Sequence, residues 1–148
     1  MRLRAPGHEA ILRRLIDSCR LTQLVELAPP IAYREALQEM MRADGLLVLQ
    51  ARNCNEQIPA KVYEYLRCRR PIIGLTDPGG DTANLLRQAG VHAIAQLDSA
   101  AEIAPALRRF LDLVKCRAAP ASDPAFVTAA SRMNRTRDLA QLLDGLNA

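Results

Sequence analysis

Short apolar runs alternate along this chain with segments of helical periodicity, and that alternation restricts the fold more than any other feature. Four runs have strand length: Leu24–Ala28, Gly45–Gln50, Pro71–Leu75 and His92–Gln96. Between and around them, apolar residues recur at helical spacing. His8–Cys19 carries Ile11, Leu12, Leu15 and Ile16, and Tyr33–Arg42 carries Ala36, Leu37, Met40 and Met41. Ile58–Arg69 and Ser99–Lys115 are helical in the same way, Asp81 or Thr82 can cap a helix that ends at Gly90, and Phe126–Leu146 offers a last helix. Strands joined through helices need crossover connections, so the sheet is expected to be parallel. GLLVLQ and PIIGL are almost uninterruptedly apolar, as strands covered on both faces must be. The expected class is α/β, a Rossmann-like doubly wound parallel sheet of about four strands.

At 148 residues the chain is long enough for one domain with its own core. Aromatics are only 3% of residues and Trp is absent, so that core must be aliphatic. The formal charge of +4 favours an anionic ligand without choosing among nucleotide, phosphorylated lipid and nucleic acid. A nucleic-acid role is disfavoured, since no basic stripe is interleaved with aromatics. No apolar run approaches the ~18 residues of a membrane span, and the basic opening MRLRAPGHEAILRR lacks the apolar core of a signal peptide. These features point to the cytoplasm and leave peripheral membrane contact open. Cys19, Cys54, Cys68 and Cys116 have neither paired spacing nor a His cluster, so no metal site is expected and free thiols are the simpler reading.

Ligands of open parallel sheets bind beyond the carboxyl ends of the strands. Two loops qualify: Gln50–Pro59, which leads into the Ile58 helix, and Thr76–Asp81, which leads into the next. Each would present free backbone N–H groups at a helix start, a setting that favours phosphate. Asn53, Asn55, Glu56 and Gln57 crowd the first loop with hydrogen-bonding side chains. Lys61 and Glu64 share a helix face, opposite the Val62/Leu66 stripe; spacing alone makes a surface ion pair the simpler account of them. DPGGD at Asp77–Asp81 lacks the Lys-Ser/Thr ending of a phosphate loop and reads as a tight turn with a helix cap.

The stretch ADGLLVLQARNCNEQIPAKVYEYLRCRRPIIGLTDPGGDTANLLRQAG, Ala43–Gly90, resembles the donor-binding domain of family-four glycosyltransferases, which are retaining enzymes of the GT-B fold. That family follows a buried strand with a ligand loop, a helix carrying E-[AY]-[LM], a short basic or Gly link and a strand beginning Pro-[IV]-[IL]. Here these are GLLVLQ, Asn53–Gln57, EYL at Glu64–Leu66, RCRR and PII. The resemblance implies that Glu64 accepts hydrogen bonds from the ribose hydroxyls of a nucleoside-diphosphate sugar. It assigns Glu56 to the transferred sugar as the catalytic acid of the pair, and Lys61, Gln57 and Asn55 to the nucleotide-sugar site. No cofactor is implied. Softer matches are PPIAYREALQEMMRADGLLVL, like the preceding strand–helix–strand, and SRMNRTRDLAQLLDGL, like the closing helix of GT-B enzymes.

On this resemblance the chain is half of a GT-B donor domain, with residues 1–117 as the partial domain, 118–124 as a linker and 125–148 as a C-terminal helix. The family's strand order is 3-2-1-4-5-6. With Leu24–Ala28 as the third strand, strands one and two are absent and the sheet has a gap. A homo-oligomer or a companion chain would then cover the exposed edge. A truncated reading frame is the mundane alternative. The acceptor domain is also absent, so independent transfer of sugar is not expected. Alternatives are a non-catalytic remnant or partner module, and, ranking lower, a fragment of a nucleotide-sugar epimerase.

Overall fold

A computed structural model describes residues 1–4 and 7–146; of the C-terminal helical segment, Asn147 and Ala148 lie outside the described residues. The chain is α/β with parallel strands throughout, in two small sheets of two and three strands rather than one sheet of four. It divides into two units, Met1–Gln38 and Glu39–Ala148, with the division falling inside a helix.

The first unit opens with β1 (Arg2–Leu3), a strand that hydropathy did not indicate. Helix α1 (Glu9–Ser18) crosses over to β2 (Glu26–Leu27), which pairs with β1 in parallel. Arg2 Nε lies 2.9 Å from a Glu26 carboxylate oxygen across this ladder. The expectation that no strand precedes Leu24–Ala28 is thereby corrected. Two residues, one of them an arginine, carry no periodicity, so only the pairing identifies β1. Helix α2 (Tyr33–Arg42) spans the division between units.

In the second unit β3 (Leu46–Leu49), β4 (Ile72–Leu75) and β5 (Ile94–Ala95) form a parallel sheet in that order. Strand alternation sends Leu46, Val48 and Ile72 to one face, where they meet Val62 and Leu66 of α3 (Ala60–Cys68) and Leu85 and Leu86 of α4 (Asp81–Gln88). Ile73, Leu75 and Ala95 face the other way, onto Phe110 of α5 (Ala100–Lys115). Helices thus cover both faces of this sheet, which explains why β3 and β4 lack the apolar/polar alternation of a half-wet strand. Gly74 sits under α4, where a Cβ would lie 2.8 Å from a Leu86 methyl; a side chain there would push the helix outward. Gly90 closes α4 with a positive φ of 79°, and Val91 N–H donates to Leu86 C=O at 2.8 Å.

The C-terminal segment departs from the single helix that its periodicity suggests. It forms α6 (Pro124–Ala129) and α7 (Arg132–Leu146), and Asn134 N–H donates to the Ser131 hydroxyl at the start of the second. Residues 118–124 lie against the second unit through Ser122. That side chain is 2% exposed, and its hydroxyl donates to Leu66 C=O at 2.7 Å. Asp123 N–H donates to Ala89 C=O at 2.9 Å.

Candidate functional site

The two loops picked out by topology follow β3 and β4, and hydrogen bonds join them into one framework. Gln50, the polar residue that ends the β3 run, is 8% exposed and turned inward. Its Nε2 donates to Cys54 C=O at 2.7 Å and to Gln57 C=O at 3.2 Å, folding the 50–57 loop back on itself. Between them a short 3-10 turn, Arg52–Cys54, reverses the chain. Asn55 C=O accepts from Asp81 N–H at 2.9 Å, and Thr82 Oγ1 donates to Gln57 C=O at 3.1 Å. These two bonds hold the first turn of α4 beside the residues that lead into α3.

Neither helix start carries a side-chain cap. Pro59 is the N-cap of α3 and supplies none. Gly80 is the N-cap of α4; Asp81 and Thr82, expected to cap it, occupy the first helical turn, and Thr82 spends its hydroxyl on Gln57 C=O. In α4 the Asp81 N–H is taken by Asn55 C=O, and Thr82 and Ala83 are buried. In α3 Val62 N–H donates to Pro59 C=O, while Ala60 and Lys61 are exposed and turn their N–H groups to water or a ligand at the positive end of the dipole. The shared end of a parallel sheet brings both starts to the same edge.

Asp77 would oppose an anion if it faced outward. Instead its carboxylate accepts from Gly79 N–H at 2.9 Å and from Asn55 Nδ2 at 2.8 Å, with Arg52 Nε at 3.2 Å. The Gly79 N–H, then the Asn55 amide, and less strongly Arg52, hold its carboxyl below the usual carboxylate range. Two oxygens here are buried without a hydrogen-bond partner, Asn55 Oδ1 and Thr76 Oγ1. The Asn55 oxygen lies over Gly80, where a Cβ would come within 3.1 Å of it. An unpartnered buried acceptor is costly.

Asn55, Glu56, Gln57 and Lys61 fall on the junction between loop and helix. Glu56, Gln57 and Lys61 are exposed, while Asn55 is half-buried and locks the two loops together. Gln57 enters the framework through its backbone carbonyl rather than its side chain. Glu64 lies on the next turn of α3 and is half-buried, so it does not stand clear of the core as the Lys61/Glu64 face suggested. Its charge is felt nearby. Burial first, and Glu64 second, push the Tyr65 phenol and the Cys68 thiol above their ordinary values. Sequence placed Thr82 as a helix cap and Asp77 in a tight turn, and named none of Gln50, Asp77 and Thr82 as a site residue. The one signal for Gln50 was a polar residue closing an otherwise apolar run.

An open concavity of about 400 Å³ runs along α5 past Arg108, Arg109 and Asp112, and its lining includes no residue of either loop. Among the described residues, no group of three or more His, Cys, Asp or Glu side chains could hold a metal ion, and no helix is long and apolar enough to cross a membrane. The four cysteines are free. No family model, curated protein or solved structure matches the chain.

Proposed function

We propose that this chain is the donor-binding part of a retaining glycosyltransferase and takes a nucleoside-diphosphate sugar at the loops after β3 and β4. The observation that carries this reading is the uncapped, exposed start of α3, held beside the start of α4 through Asn55 and Gln57 at the carboxyl edge of a parallel sheet. That edge suits a diphosphate, because fixed N–H dipoles face the anion without having to reorganise. Lys61 adds an exposed cation in the first turn of α3. Glu64, roughly 4.5 Å further along the axis, has an acceptor carboxylate for ribose hydroxyls. Glu56, exposed on the loop, takes the sugar side.

Pairing is parallel within each sheet, β1 with β2 and β4 with both β3 and β5, as this reading requires. Strand β3 is an edge of the three-stranded sheet, and we propose that a second copy or a companion chain covers it. No side chain at the loops is set up as a general base toward an acceptor hydroxyl, so this reading assigns donor binding rather than complete catalysis.

The test is calorimetric titration of the purified chain with UDP, GDP and their common sugar conjugates, beside Glu64→Ala. A hydrogen bond to a charged group contributes about 1.5–3 kcal/mol, so the variant should bind roughly tenfold to a hundredfold more weakly. Unchanged affinity in Glu64→Ala would remove the ribose role. A folded chain that binds none of these nucleotides would remove the donor-site reading.

A further inference from the structure

The loop that carries the proposed donor site has a 3-10 turn with three backbone hydrogen bonds of its own, and a strand residue fixes that turn from beneath. We infer that Gln50, with Thr82, is a positioning residue that sets the direction of the α3 N-terminus and thereby the affinity for the diphosphate. The inference rests on the donor-site reading and deepens it.

The geometry is specific to Gln50. It is the residue at which β3 ends, and its own N–H still donates to Leu75 C=O at 3.0 Å, so its backbone is fixed to the sheet. From that fixed point the carboxamide reaches two carbonyls, Cys54 at 2.7 Å and Gln57 at 3.2 Å. Only an amide end with two N–H donors can make both bonds at this reach. Glu supplies acceptors alone, Asn is one methylene short, and Met fills the space without donating. Gln57 C=O is the hub, because Thr82 Oγ1 also donates to it at 3.1 Å from a residue 1% exposed. One carbonyl is thus held from the sheet on one side and from α4 on the other, and three residues later the chain enters α3 at Ala60. The N–H groups of that first turn point where this carbonyl makes them point.

Both carbonyls lie on the segment that bears Asn55 and Glu56, so releasing them loosens the loop while leaving every side chain assigned to the ligand in place. Misplacing a binding constellation by about 1 Å costs on the order of a hundredfold in a preorganised site. A loop that still samples the bound shape should lose about tenfold or more.

UDP is the probe, titrated at a temperature well below unfolding into the full chain and into Gln50→Met, Thr82→Val and Thr82→Ser. Hydrogen–deuterium exchange over residues 54–61 is measured in each without ligand. The expected result is UDP binding by the parent chain and about tenfold or greater weakening in Gln50→Met and Thr82→Val. Exchange should rise over 54–61 in those two, with both properties retained in Thr82→Ser, which keeps the hydroxyl. Gln50→Met and Thr82→Val should also be non-additive, since both act on Gln57 C=O. If the parent binds UDP and Gln50→Met binds it equally well, the positioning inference is overturned and the donor-site reading stands. If Gln50→Met lowers melting temperature alone, with affinity and exchange unchanged, Gln50 supports the fold only and the inference fails. If the parent binds no UDP, the donor-site reading fails, and the link between Gln50 and a ligand falls with it.

Discussion

Replacing Ser122 by Ala tests whether residues 118–124 are a linker or a structural strap. The hydroxyl is buried at 2% exposure and donates to Leu66 C=O at 2.7 Å, across 56 positions of sequence. Leu66 lies in the last turn of α3, where carbonyls run out of intrahelical donors; its other partner is Arg69 N–H at 3.2 Å, close to the long limit. Deleting the hydroxyl removes the shorter bond, at about 1 kcal/mol, and leaves a buried carbonyl partly served, which adds up to about another 1 kcal/mol. The volume lost is one oxygen, so the cavity contribution is small beside these. A destabilisation of ~1–2 kcal/mol in a domain of this size lowers the melting temperature by about 3–6 °C. Thermal unfolding followed by circular dichroism, with urea titration giving the free energy independently, measures it. A fall below about 1 °C would show that Ser122 is solvated in solution and that the segment is a linker after all. Loss of two or three times the expected value would mean that the strap also holds α6 in place, since Asp123 caps that helix through its bond to Ala125 N–H.

Two further predictions follow from backbone and charge. Arg20, Arg69 and Arg117 end helices with positive φ of 56°, 51° and 55°, positions that glycine fills without strain. The left-handed conformation costs a side-chain-bearing residue about 1–2 kcal/mol, and glycine returns about half of that through greater freedom in the unfolded chain. Arg117→Gly should therefore stabilise the protein by ~0.5–1 kcal/mol in urea unfolding; a neutral or destabilising result would show that the arginine makes compensating contacts. Asp77 supplies the pH dependence. Its folded carboxyl titrates below the unfolded value of about 3.9, so the stability it contributes is complete above that value and is lost as pH falls through the folded one. Asn55→Ala removes the second-largest cause of the depression, and carboxyl-carbon NMR should find Asp77 titrating at higher pH in the variant. An unchanged titration would mean that Gly79 N–H and Arg52 hold the carboxylate without help from Asn55.

What the sequence made legible was what hydropathy encodes directly. GLLVLQ and PIIGL are strands buried on both faces, and each appeared with ends within one or two residues of β3 and β4. The helices between them followed from aliphatic spacing, with Gly90 ending α4 as its conformational freedom suggested. Strand pairing is not written in hydropathy, so the split into two sheets and the short β1 were invisible. The break between α6 and α7 was hidden because apolar spacing runs on through Ala130 and Ser131, where a serine caps the new helix. Ala118–Pro124 has the composition of a linker, and only the position of Ser122 in space makes it a strap.

The same distinction separates the two halves of the candidate site. Topology drew attention to the Gln50–Pro59 loop and its Asn55, Glu56 and Gln57, and the resemblance to glycosyltransferases added Lys61 and Glu64. The positioning role of Gln50 and Thr82 was hidden because their targets are backbone carbonyls, and any side chain with a donor at that distance would read alike in one dimension. Every residue of the framework lies between positions 50 and 82, inside the second unit, and every bond that shapes it is internal to that span. The proposed donor site is therefore set by the two loops and the residues that hold them, and on that proposal nucleotide binding should be retained by residues 39–146 alone.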